Sequence, residues 1–271
     1  PPPSHHAVSG GEVREKLASF LTTKSQAESR SEQVNYATRL SEGFAAPIDD
    51  ASPIVVLAEA GTGVGKTLGY LAPAIAWTDK NEGHVLISTY TKNLQRQIGE
   101  ELKRIYPDDD VRAQKVTVRK GRENYLCLLN FEDMAAAAAL AKSPQTAIAA
   151  GLMARWVMET EDGDLTGNSF HGWLPGVLGI ASTVGLADRR GECIFSGCDH
   201  YRRCFSENVM RKASRTPLVI ANHAVVMIKA AHADDDLPSH LIFDEGHHIF
   251  DAADSSFGAA LTGMEGFDLR R

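Results

Sequence analysis

Ala60-Gly61-Thr62-Gly63-Val64-Gly65-Lys66-Thr67 is the stretch that decides how the chain is read. It follows a short apolar run, Ile54 to Ala58, and precedes a segment whose Leu68, Leu71 and Ile75 recur at helical spacing. Strand, glycine-rich turn, helix is the context a phosphate-binding loop requires. Glycines let successive backbone N–H groups turn toward phosphate oxygens, and the helix N-terminus adds partial positive charge. In that reading Lys66 reaches the β- and γ-phosphates of ATP and the Thr67 hydroxyl ligates Mg2+. The first position of the motif is Ala60 where glycine is usual; a small residue fits there. The competing reading is a plain glycine-rich connection.

Outward from the loop, strand and helix signals alternate. Ile54–Ala58 reads as a buried parallel strand, and a helix is expected over about 67–77, with Pro73 marking a kink or an early end. His84–Thr89 reads as a strand and Lys92–Ile105 as a helix, with Leu94, Ile98, Leu102 and Ile105 on one face. Val116–Val118, Pro217–Ile220 and Leu241–Phe243 complete the strand signals; residues 1 to about 29 read as a ragged or helical lead-in, with Glu12–Leu21 as a short helix. This is the pattern of a parallel α/β sheet. Residues 121–212 break it: they hold all four cysteines, the alanine run Ala135–Ala139 and no clear strand, as expected of an insertion.

The last strand signal ends in Asp244-Glu245-Gly246-His247. Ligands of parallel sheets bind at the C-terminal ends of the strands. Asp244 is thus placed to hold Mg2+ and Glu245 to orient and deprotonate an attacking water. Taken alone, the acidic pair could equally open a helix; beside a phosphate loop it points to catalysis.

The 271 residues suffice for one or two domains with real cores. No stretch approaches the ~20 apolar residues of a membrane helix, and Pro1-Pro2-Pro3-Ser4-His5-His6 lacks the features of a signal peptide. We therefore expect a cytoplasmic protein. Net charge is −7, which argues against a general nucleic-acid binder. Basic residues nevertheless cluster. Lys115, Arg119, Lys120 and Arg122 fall in an acid-free run, and Arg202, Arg203, Arg211, Lys212 and Arg215 share a segment with Glu207 alone. These are either solvated helix faces or phosphate contacts.

Cys127, Cys193, Cys198 and Cys204, the last three spaced C-x4-C-x5-C, leave none spare for a second site. Two disulfides do not suit a cytoplasmic protein. A four-thiolate site could hold zinc or an iron–sulfur cluster, although zinc ribbons favour paired C-x2-C knuckles.

Asp244-Glu245-Gly246-His247 resembles the DExH box of superfamily 2 helicases. Arg119, Lys120-Gly121-Arg122-Glu123-Asn124-Tyr125-Leu126-Cys127 and Ala221-Asn222-His223 resemble the DinG/XPD branch, the bacterial DinG type most closely, with the motifs in the expected order. The resemblance implies a RecA-like parallel α/β lobe carrying an inserted, mainly helical domain whose four cysteines hold a [4Fe–4S] cluster. It implies 5′ to 3′ movement on single-stranded DNA, driven by ATP and Mg2+, in replication or repair. Arg30 and Gln33 match a pattern that contacts adenine. Thr89 to Gln95 match a DNA-contacting motif that includes Thr91, and Asn222 and His223 a segment near that groove; His223 can equally be a core histidine. Lys120, Arg122, Arg202 and Arg203 become candidate DNA-backbone contacts, with Arg189 and Arg190 also flanking the cysteines. The layout expected is a lead-in (1–29), the first part of the lobe (30–118), the cluster insertion (119–212), the second part of the lobe (213–249) and the start of a further insertion (250–271). The second RecA-like lobe, with its arginine finger, is expected in a longer chain. Two rival readings remain: an accessory nucleotide- or DNA-binding module that does not unwind, and a zinc-stapled P-loop ATPase unrelated to DNA.

Overall fold

The computed structural model describes residues 6–22, 31–45, 54–141, 143–167, 170–174, 176, 185–188, 192–231, 238 and 240–258. The chain divides into two compact units, Pro1–Val118 with Thr216–Arg271, and Arg119–Arg215.

The first unit is built on a parallel sheet of β1 (Val85–Thr89), β2 (Val116–Val118), β3 (Leu218–Asn222) and β4 (His240–Phe243), in the order β2-β3-β1-β4. The central strands β1 and β3 are buried almost throughout, as strands covered on both faces must be. Their register sets Thr89 level with Asn222, and Ser88 level with Phe243 of β4, so the loops after all three open at one edge.

Against this sheet pack α1 (Gly10–Thr22), α2 (Ser31–Leu40), α3 (Glu42–Ala45), α4 (Lys66–Lys80), α5 (Lys92–Ile105) and α6 (Asp109–Lys115). Helix α5 has the bounds its leucine spacing predicts: Thr91 caps it by accepting from the Leu94 amide at 3.2 Å, and Ile98 and Leu102 are buried. Helix α4 runs through Pro73 to Lys80 rather than ending early. Its buried Leu71, Ala72, Ala74 and Ile75 make tertiary burial outweigh the one intrahelical bond that proline removes.

Of the two readings of the lead-in, its described residues take the helical one. Ser9 and Glu12 form a reciprocal capping box on α1, the Ser9 amide donating to Glu12 at 2.7 Å. Val13, Leu17 and Phe20 join the core, while Lys80 and Lys16 pair with Glu12 and Asp79 at 2.9 Å each.

One expected strand does not form. Residues 54–60 carry no strand pairing, and Leu57 is 92% exposed. Apolar composition favours burial, but a strand exists only when a neighbour accepts its backbone groups. Among the described residues none pairs with this run, and β4 has no second partner.

The second unit is mainly helical: α7 (Leu128–Leu140), α8 (Pro144–Glu159) and α9 (Phe205–Ala213). Leu126, Met153, Trp156, Phe170, Leu174 and Leu186 form its core. Isolated antiparallel bridges, Tyr125 with Asp164 and Leu126 with Ala187, are its extended pairings among the described residues. Two ion pairs bind distant parts of this unit, Lys120 with Asp164 and Arg122 with Glu207. The Glu207 side chain is 8% exposed, so Arg122→Ala strands a carboxylate in the interior. We expect this variant to lower stability by about 2–3 kcal/mol, measured by chemical denaturation; a loss below about 0.5 kcal/mol would show the pair to be a surface contact.

After β3, α10 (His223–Ala231) begins the return toward β4, and α11 (Ile249–Phe257) follows it.

Candidate nucleotide site and its surroundings

The turn at 62–64 delivers the chain into α4 with Gly63 at φ 82° and Gly65 at φ 87°, conformations that disfavour any side chain. Gly65 caps α4 and no side chain occupies the cap, so the first amides of the helix face outward as an anion site would need. Gln33 braces this turn: its Nε2 donates to the Gly65 carbonyl at 2.9 Å, and a Cβ on Gly65 would overlap the amide. The predicted adenine contact is thus committed to the loop itself. Arg30 lies outside the described residues.

Lys66 and Glu245, 179 residues apart, meet at 3.1 Å. Both side chains are 31% exposed, so the pair contributes less than about 1 kcal/mol and a phosphate can displace it. Glu245 adopts φ 55°, a left-handed conformation unusual for a non-glycine residue. This turn holds its carboxylate toward Lys66, and His247 Nδ1 approaches the other oxygen at 3.6 Å. Asp244 is anchored through its amide to the Ser88 carbonyl at 2.8 Å. Burial, and then the neighbouring Glu245 charge, push its carboxyl above the usual range, with Lys66 acting against them. Tyr36 and buried Tyr70 stand close enough that Asp244 raises both phenols, burial being the larger cause. The Tyr70 hydroxyl lies near Asp244 and Thr67 without closing a bond of standard geometry. A cation between Thr67 and Asp244 would relieve this crowding.

Asp244 also yields a stability prediction. Its folded pKa is raised, so ionisation costs the folded state nothing below the ordinary carboxylate pKa and the full penalty above the raised one. At neutral pH, Asp244→Asn should therefore raise Tm by a few degrees while removing Mg2+-dependent nucleotide binding. An unchanged or lower Tm would contradict the stated electrostatics.

The predicted DNA contacts separate into two groups. Thr89 is fully buried and cannot meet a strand as placed, whereas Thr91 is exposed and uses its hydroxyl on the cap of α5. Lys120 and Arg122 are held by Asp164 and Glu207, and Arg122 also covers the Phe195 ring at 4.8 Å. Arg202 and Arg203 are exposed. Arg189 and Arg190 lie outside the described residues.

All four cysteines are half-buried free thiols. Cys127 and Cys204 occupy the N-caps of α7 and α9. Cys193 Sγ accepts from Arg122 at 3.5 Å and from the Phe195 amide at 3.4 Å. Burial raises the Cys127 thiol, the Asn130 and Leu129 amides lower it, and Cys204 and Cys198 raise it further. The Arg122 guanidinium in turn senses Cys193 and Cys204. The four sulfurs thus share one electrostatic neighbourhood, yet no three ligand-type side chains among the described residues stand at metal-binding spacing. The four sulfurs carry the thiolate donor chemistry expected of the predicted ligand set. Among the described residues no helix is long and apolar enough to cross a membrane.

Sequence reading missed Tyr36, Tyr70, and the bracing role of Gln33. Tyr70 lies four residues after Lys66, one helical turn along, and that spacing was the available signal.

Comparison with known proteins agrees with this geometry. Residues 48–138 match the family model described as DEAD/DEAH box helicase. The chain is 32% identical to the ATP-dependent DNA helicase YoaA of Haemophilus influenzae, over 89% of this chain and 36% of that protein. It is 31% identical to the ATP-dependent helicase DinG of Mycobacterium tuberculosis, over 76% of this chain and 33% of that protein. It is likewise 31% identical to the 3′-5′ exonuclease DinG of Bacillus subtilis, over 77% of this chain and 22% of that protein. The chain spans about a third of the length of the first two relatives. It belongs to the DEAD/DEAH box helicases, among proteins of the DinG and YoaA type.

Proposed function

We propose that this chain is the nucleotide-binding part of an ATP-dependent DNA helicase that moves 5′ to 3′ on single-stranded DNA. The observation that carries the nucleotide-binding reading is the meeting of Lys66 and Glu245 beside the uncapped N-terminus of α4; the direction of movement rests on the resemblance to DinG-type helicases alone. In this reading the loop amides from Gly61 to Gly65 and Lys66 bind the phosphates of ATP. Thr67 and Asp244 hold Mg2+, which neutralises phosphate charge. Glu245, released from Lys66, orients the attacking water and takes its proton. A second lobe, in a longer protein, supplies the arginine that offsets transition-state charge and the surface against which this lobe opens and closes. Strand displacement by the full-length protein on duplexes with a 5′ or a 3′ tail tests the reading. Displacement confined to the 5′-tailed duplex supports it; displacement confined to the 3′-tailed one reverses the polarity, and none with either favours an accessory module.

We further propose that Cys127, Cys193, Cys198 and Cys204 hold a [4Fe–4S] cluster. The four-thiol donor set, its two helix N-termini and the adjacent Arg122 suit a thiolate-rich group. Of the four basic candidates, Arg202 and Arg203 are left to meet a DNA backbone. Replacing both with Gln should weaken single-strand binding whatever the sequence, and flatten the salt dependence by about 1.4 in log–log slope, roughly 0.7 per lost phosphate contact. An unchanged slope in fluorescence-anisotropy titrations would mean that they are merely solvated.

A further inference from the structure

His223 does more than fill space behind the nucleotide site. It follows β3 directly, and the Asn222 side chain accepts from the Val225 amide at 3.0 Å, capping α10 and fixing His223 in its first turn. The imidazole is 1% exposed and reaches across the end of β1, where Nδ1 lies 2.6 Å from Ser88 Oγ. Phe243, the residue before Asp244, is level with Ser88, and its ring lies 5.8 Å from the imidazole. The other ring nitrogen, Nε2, is buried with no hydrogen-bond partner of standard geometry. It faces the backbone of Asp244 and Glu245, whose influence raises the imidazole pKa against the larger lowering by burial. The hydrogen bond between Ser88 Oγ and Nδ1 fits either tautomer; the one in which Ser88 donates leaves the ring proton on Nε2. A buried polar atom without a partner is unfavourable, and the turn it faces holds Glu245 at φ 55°.

We propose that His223 is a positioning residue for Glu245: Ser88 orients the ring, and Nε2–H closes onto a carbonyl of the Asp244–Glu245 turn when Glu245 leaves Lys66 to face the attacking water. The proposal rests on the assignment of Glu245 as the water-activating group. It explains why a histidine, rather than an apolar residue, occupies a fully buried position: a nitrogen with no partner in the present geometry gains one in the reactive geometry. Substituting His223 keeps the side chains of Lys66, Thr67 and Asp244, so nucleotide affinity should hold.

The test is steady-state ATP hydrolysis by the full-length protein with single-stranded DNA, alongside nucleotide binding and thermal melts. We expect His223→Ala to lower kcat at least tenfold with KM and nucleotide Kd within twofold. Ser88→Ala should lower kcat about threefold and add nothing to His223→Ala, because both act through one ring. His223→Gln places an amide donor near the position of Nε2, whereas His223→Asn restores only the contact near Nδ1. Gln should therefore recover most of kcat and Asn should not, and this comparison stands even if the alanine variant fails to fold. Equal kcat for the Gln and Asn variants, or a loss that follows Tm alone, would overturn the proposal. Normal turnover in Glu245→Gln would overturn the underlying assignment instead. Loss in Glu245→Gln together with normal turnover in His223→Ala would remove the role of His223 alone.

Discussion

Glu245→Gln should reduce DNA-stimulated ATP turnover of the full-length protein by about 10²–10⁴-fold, the range a positioned general base supplies, while leaving Mg2+-ATP binding intact. The substitution keeps the size of the side chain and removes only its ability to accept the proton of water. It also removes the negative partner of Lys66, which stands at 3.1 Å from the carboxylate. Nucleotide affinity should thus hold or rise slightly, since no ion pair has to be displaced. Binding and turnover move apart only if the carboxylate acts on the reaction rather than on the loop. Turnover within threefold of wild type, measured by phosphate release, would remove Glu245 from the chemistry.

Cys198→Ser should abolish the visible absorbance of protein purified without oxygen and lower its bound iron and sulfide together. It should also reduce the unfolding midpoint of the Arg119–Arg215 unit by about 10 °C or more, because metal–ligand binding free energy is folding free energy for a unit with so small a core. Nucleotide binding should survive, since the phosphate loop belongs to the other unit. Stoichiometric zinc without iron in the wild-type protein would replace the cluster with a zinc site; absence of both would leave four free thiols.

Much of the first unit was legible because its signals are local. The leucine spacing and Thr91 cap of α5, the run Val116–Val118 and the apolar ends of β3 and β4 each carry their structure within a few residues. The placing of Asp244 and Glu245 was legible for a different reason, since ligand-facing residues of a parallel sheet lie at the C-terminal ends of its strands; no sheet strand precedes Lys66, so its meeting with Glu245 did not follow from that rule. The failures are all non-local. Ile54–Ala58 has strand composition, yet composition does not supply a neighbouring strand. Lys120 and Arg122 read as outward-facing charge because Asp164 and Glu207 lie 44 and 85 residues away. Thr89 sits in a motif expected to touch DNA, but its place at the end of the central strand buries it. The lead-in helix was read at nearly its observed bounds, but not as core. Val13, Leu17 and Phe20 signal an apolar face without saying what covers it.

The central claim is that the loop from Ala60 to Thr67 binds the phosphates of Mg2+-ATP with Lys66 as its cation. Equilibrium titration of this chain with a fluorescent ATP analogue, with and without Mg2+, tests it without requiring hydrolysis or a second lobe. The account predicts saturable, Mg2+-dependent binding that ATP competes away, and at least a tenfold loss of affinity in Lys66→Ala at an unchanged Tm. Equal affinity in wild type and Lys66→Ala would contradict it.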